Sequence, residues 1–252
     1  GAWKAFDLSY HAVYMAGGLA TLALAAVAWL AFPRFEAPTP QNKRMVLRRR
    51  YWLYYALQFF SGARRQIFVV FAAFMMVERF GFEVHEVTAL FLINYAANMA
   101  FAPLVGRMIH RWGERRALLV EYAGLSVVFG LYGGIYVFGW SAALAAALYV
   151  VDHLLFAMAF ALKTYFQKIA DPADHAPTAA VAFTINHIAA VFLPAALGYL
   201  WLVSPAAVFT LAVGLALCSL SLAALIPRNP APGRETVFAR PSLPHPAAQP
   251  AE

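Results

Sequence analysis

"QFFSGARRQIFVVFAAFMM", residues 58–76, sets two adjacent arginines, Arg64 and Arg65, inside an apolar run long enough to cross a bilayer. The composition around it identifies the solvent. Of 252 residues, 63% are hydrophobic and 12% charged, with a mean hydropathy of +0.65; an ordinary soluble domain is about half apolar and about a quarter charged. The chain is therefore expected to be an all-α, polytopic membrane protein whose first partner is the lipid bilayer. Its net charge of +7 does not point to nucleic acid, because the basic residues lie between apolar runs rather than on one solvated face. The single cysteine, Cys218, has no disulfide partner.

A window of about 20 residues, the length of helix that crosses ~30 Å of hydrocarbon, predicts seven spans, at 11–32, 51–78, 84–105, 116–138, 142–168, 178–202 and 206–226. Glycine and proline inside them are ordinary in membrane helices. Segment 33–50, Pro-rich and then basic, reads as a linker between two helical bundles. Residues 227–252, rich in Pro, Ala and polar residues, read as a disordered tail. Most of the 19 lysines and arginines fall in 33–50, 106–116, 168–178 and the tail, whereas the opposite side holds only Lys4 and Arg79. Basic residues are retained on the cytoplasmic side, so the N-terminus is expected outside and the tail in the cytoplasm, in a bacterial inner membrane. Seven spans in this orientation also describe a retinal protein or a receptor. The last span lacks the lysine a retinal Schiff base needs, which excludes the first; a receptor stays open.

The segment "GRMIHRWGERR", 106–116, lies between a span ending "NMAFAPLV" and one starting "ALLVEYAG". It resembles the Gly-x-x-x-Asp-Arg-x-Gly-Arg-Arg loop of the major facilitator superfamily, which joins the second and third helices of each six-helix half on the cytoplasmic side. Gly106, Arg111, Gly113, Arg115 and Arg116 fall on the motif, with Arg107 beside them. His110 stands where the family has aspartate, and Glu121, about one turn into the next helix, is placed to take over part of that charge relay. The resemblance sets a register. Residues 1–32 hold the last helix of an N-terminal bundle, 33–50 the central cytoplasmic linker, 51–226 the six-helix C-terminal bundle and 227–252 the tail. It implies that the rest of the N-terminal bundle lies outside this sequence, in keeping with a first residue Gly1 that follows no basic leader.

A helix from 51 to 78 is about 42 Å long at ~1.5 Å per residue, which puts Arg64 and Arg65 near its middle. A charge there costs ~2.5–3.5 kcal/mol on insertion scales, so both arginines are expected to point inward from one continuous helix. Neighbours on a helix diverge by ~100°, so one can face a cavity while the other pairs with a neighbouring helix. In "LYVVDHLLFAMAFALKTYFQK", 148–168, Tyr149, Asp152, Phe156, Phe160, Lys163 and Gln167 follow helical spacing as one polar and aromatic stripe. Asp152 and His153 lie near mid-depth, and so do Asn186 and His187 in "TINHIAAVF". Asn94 and Asn98 stand one turn apart on the span at 84–105. Asp152 is expected to pair with Arg64 or Arg65, directly or through one water, since an unpaired carboxylate at that depth is expensive.

The resemblance implies that the helices carrying Arg64/Arg65 and Asp152/His153 line a central pathway, with substrate near the midplane. Guanidinium matches carboxylate or phosphate geometry, so Arg64 and Arg65, with Asn94, Asn98, Tyr149, Asn186 and His187, are candidate ligands of a small anionic or zwitterionic solute. Asp152 and His153 are the candidate proton-coupling pair, and Lys163 and Glu121 are secondary candidates. There is no phosphate-cradling Gly-rich loop with lysine, no Cys-x-x-Cys and no His-Glu-x-x-His, so no enzyme chemistry and no cofactor are expected. A metal ion as substrate, through His153, His187, Met158 and Cys218, is the weaker alternative. A receptor or scaffold that transports nothing is the rival from another class.

Overall fold

Seven helices long and apolar enough to cross a membrane run through the described residues of the computed structural model, which are 9–33 and 39–239. They are α1 (Tyr10–Ala31), α2 (Arg49–Phe80), α3 (Val84–Trp112), α4 (Glu114–Phe138), α5 (Ala142–Ile169), α6 (Pro172–Val203) and α7 (Pro205–Ala223). No β-strand occurs among these residues. Lys4, residues 34–38 of the linker and residues 240–252 of the tail lie outside the described residues. Two units divide the chain, one up to Pro40 and one from Gln41 onward. The first contains α1, an uncharged apolar helix whose N-cap Ser9 accepts a hydrogen bond from the Ala12 N–H at 3.2 Å.

In the second unit the sequence punctuates the helices sharply. Gly81 ends α2 with a φ of 69°, and its N–H and that of Phe82 return to the carbonyls of Val77 and Met76, the paired capping a left-handed glycine allows. Glu83 and Glu86 form a capping box at the start of α3. Ser141 and Ser204 cap α5 and α7.

Three features depart from the expectation. The motif 106–116 is not a loop: α3 continues through Gly106, Arg107, His110 and Arg111 to Trp112, and Gly113 alone, with a φ of 79°, joins it to α4. A hydropathy window stops where polar side chains begin, but backbone hydrogen bonding carries on. Helix α2 is continuous as expected, yet it widens into a π-helical stretch at Ile67–Ala72 just beyond the arginines. Residues 227–239, read as part of a disordered tail, fold back on the bundle. The Tyr165 hydroxyl donates to the Glu235 carbonyl at 2.5 Å and the Val237 N–H to the Leu225 carbonyl at 2.9 Å, bonds that composition does not reveal.

Helix α2 packs on α6 and α7, α4 on α7 and α5, and α3 on α5. The buried side chains form two hydrophobic clusters, one toward each end of the bundle. Along α2 the first cluster ends at Leu57 and the second begins at Ile67; along α4 the break falls between Tyr122 and Leu125, and along α5 between Tyr149 and Met158. The gap holds Arg64 and Asp152, with Glu121 at its edge beside Tyr122.

Candidate functional site

The polar level is set by a close helix crossing. A Cβ added to Gly62 would lie 2.7 Å from the backbone oxygen of Asn186, so α2 and α6 meet here at a distance only glycine permits. Two residues on, Arg64 turns into the bundle and is 1% exposed. Its guanidinium lies 3.6 Å from the Glu121 carboxylate and 4.4 Å from the centre of the Tyr122 ring, an ion pair backed by a cation–π contact. Glu121 is fully buried and Asp152 is 1% exposed. Asp152 stands within electrostatic reach of Arg64 and Glu121 but forms no ion pair with either arginine. The direct ion-pair partner of Arg64 is thus Glu121, with Asp152 in reach of the same guanidinium.

Arg65, the next residue, is exposed, because ~100° of rotation carries it to the open face between α2, α5 and α6. There it lines a cavity of about 590 Å³ together with Gln58, Lys163, Gln167, Asn186 and His187. No carboxylate is among the lining residues. The Asn186 amide donates to the Gln58 carbonyl at 3.3 Å. His187 sits 2.8 Å from the Phe183 carbonyl with its ring 3.9 Å from the Phe183 ring. Lys163, read as secondary, is one of the two fixed cations at this cavity.

The stripe expected along α5 is broken. A 3-10 turn at Ala157–Ala159 advances each residue by ~120° instead of ~100°, turning the second half of the helix by roughly 60°. Tyr149 and Asp152 consequently face the buried interior, while Lys163 and Gln167 face the cavity. Tyr149 stacks on Phe68 with ring centres 4.6 Å apart. His153 is half-buried between Phe68 and Tyr95. Asn94 is 1% exposed and Asn98 half-buried; neither lines the cavity. The expected single layer of ligands is therefore two groups, a buried charged set and an open basic cavity. The metal alternative is not assembled: among the described residues no three His, Cys, Asp or Glu side chains cluster, and Cys218 is exposed.

Two further polar sites escaped sequence reading. Glu114, in the first turn of α4, is 3% exposed and bonds Lys168 at 2.6 Å, next to Gly106 and His110 in a cavity of about 340 Å³. At the start of α6, Asp174 is 1% exposed. It takes a two-pronged bond from Arg48 at 2.7 and 3.0 Å, and others from Asn42 at 2.9 Å and Tyr51 at 3.3 Å. Arg50 pairs with Asp171 beside it. The hydrogen bond and charge of Asp174 hold Arg48 above an arginine's ordinary pKa. The end of the linker is thus clamped to the bundle. Two aspartates at an otherwise basic end of the molecule were the available signal.

The profile of the Major Facilitator Superfamily matches residues 1–194. No curated protein and no solved structure matches the chain. With that match over well over half of its 252 residues, and seven apolar helices in an all-helical fold, the chain is an integral membrane protein that belongs to the Major Facilitator Superfamily of transporters.

Proposed function

We propose that the chain contributes the C-terminal half of a proton-coupled secondary transporter for a small anionic or zwitterionic organic solute, in a bacterial inner membrane with its basic end in the cytoplasm. One observation carries the substrate class. The cavity running from the linker end of the bundle to its middle presents Arg65 and Lys163 with no carboxylate in its walls, while Arg64 next door is already paired with Glu121. Two cations free of acidic partners attract a carboxylate or phosphate, and the Arg65 fork can hold it bidentately. Asn186, His187 and Gln58 supply neutral hydrogen bonds around it. A second helical bundle covers the exposed side, where Arg65, Phe183 and His187 lie open.

The buried set supplies the coupling. One guanidinium, Arg64, faces two carboxylates, Glu121 and Asp152, among the hydroxyls of Tyr122, Tyr132 and Tyr149. Arg64 offsets one negative charge, and an uncompensated second charge in the interior is costly. A proton carried by the set balances it, and binding an anion near Arg65 alters the demand for that proton.

Uptake by proteoliposomes tests both parts. Labelled carboxylates, phosphate monoesters, amino acids and organic cations are offered with and without an imposed pH gradient. Uptake confined to anionic or zwitterionic probes and driven by the gradient is expected; uptake of organic cations alone would overturn the substrate class. Asp152→Asn should remove the dependence on pH and leave exchange counterflow of the same probe intact. Loss of counterflow as well would assign Asp152 to binding or folding.

A further inference from the structure

The folded-back segment after α7 builds a second basic site, remote from the Arg65 cavity. Two adjoining cavities of about 350 and 360 Å³ share Arg115 and Arg228 in their walls; Arg234 completes one and Arg116 with Trp112 the other. Four arginines from two chain segments thus line the adjoining cavities, and no carboxylate lines either one. The nearby acids are engaged elsewhere. Glu114 bonds Lys168, and the Glu235 carboxylate accepts the Gly233 N–H of its own loop at 3.0 Å. None of the four arginines takes part in an ion pair among the described residues.

Like charges gathered this way repel, so the arrangement needs something that holds it. The segment is anchored through Tyr165 to the Glu235 carbonyl and through Val237 to Leu225, and Glu235 and Thr236 are buried. Arg228 and Arg234 are therefore fixed beside Arg115 and Arg116 by contacts that do not involve their charges. The position is equally specific: α3 ends at Trp112, α4 begins at Glu114 and α7 ends at Ala223, so the site lies at the ends of membrane-spanning helices, just past their apolar stretches. Trp112, Val237 and Phe238 are exposed around it, and an aromatic and apolar rim beside arginines is how a protein meets the headgroup layer.

We infer that these cavities bind the phosphate headgroup of an anionic membrane lipid, with the arginines on the phosphate oxygens and Trp112, Val237 and Phe238 against the glycerol and upper acyl chains. A free phosphate shares the headgroup chemistry but gains nothing from the apolar rim.

Native mass spectrometry of the full chain in mild detergent reads the bound lipid directly. Phosphatidylglycerol should bind well above phosphatidylcholine. Binding should fall about fivefold for each arginine removed in Arg115→Gln and Arg228→Gln, and further in the pair. The double variant Lys43→Gln/Arg44→Gln loses the same charge at exposed positions away from these cavities and should bind normally. Arg115→Lys/Arg228→Lys, which keeps the charge, should fall between. Equal losses in the Lys43/Arg44 control, no loss in Arg115→Gln/Arg228→Gln, equal binding of phosphatidylcholine, or displacement of the lipid by millimolar inorganic phosphate would each overturn the assignment.

Discussion

Adjacent residues with the same side chain have opposite surroundings at Arg64 and Arg65. Arg64 is 1% exposed and faces Glu121, whereas Arg65 is exposed at a cavity with no acid in its walls. Removing one member of a buried pair strands the other, at a cost of roughly 3–5 kcal/mol, while replacing both with neutral side chains of similar shape is far milder. Arg64→Gln should therefore lower the thermal unfolding midpoint in detergent substantially, and Arg64→Gln/Glu121→Gln should recover most of the loss. A double variant as unstable as the single would show that Arg64 is held by something other than Glu121. Depth in the membrane was legible from residues 58–76 alone. The partner was not, because Glu121 reads as part of the loop motif, one turn into its helix, and only the packing of α4 on the bundle brings it to Arg64.

At the scale of helices, Gly62 is the tightest joint near the site. A methyl group there would meet the Asn186 carbonyl at 2.7 Å, so α2 and α6 would have to separate. Overpacking of this kind costs about 1–3 kcal/mol, against up to ~1 kcal/mol gained from alanine's better helix propensity. Gly62→Ala should be net destabilising in thermal unfolding and should also impair transport, because Gln58, Arg65 and Asn186 flank the joint. Gly214→Ala, in α7 where nothing lies within 4 Å, should be neutral or slightly stabilising. A neutral Gly62→Ala would mean that the crossing is looser than this geometry. Apolar length revealed the number of helices, since hydropathy averages over several turns. It was blind, for the same reason, to the π stretch at Ile67–Ala72 in α2 and the 3-10 turn at Ala157–Ala159 in α5, and the latter decides which face of α5 carries Asp152 and which carries Lys163.

At the scale of the molecule, the segment around Gly106, Arg111 and Gly113 carried the family, which the match over residues 1–194 establishes. The sequence motif was legible because its glycine and arginine spacing is local. The clamp of Arg48 and Arg50 on Asp171 and Asp174 joins residues more than 120 positions apart, and the fold-back of 227–239 joins Tyr165 to Glu235; neither leaves a local pattern. The bundle has its charge sorted into a buried set around Arg64 and an open basic cavity with no carboxylate in its walls, and the proposed transport cycle depends on that sorting. The most direct test is counterflow of a labelled anionic substrate through the transporter reconstituted in proteoliposomes, comparing Arg65→Gln, Arg65→Lys and the Lys163→Gln variant. Arg65→Gln should abolish exchange, Arg65→Lys should weaken binding by roughly 1–3 kcal/mol because the charge stays and the fork is lost, and Lys163→Gln should raise the half-saturating concentration. Normal exchange by Arg65→Gln and Lys163→Gln in well-folded protein would contradict an anion site at this cavity.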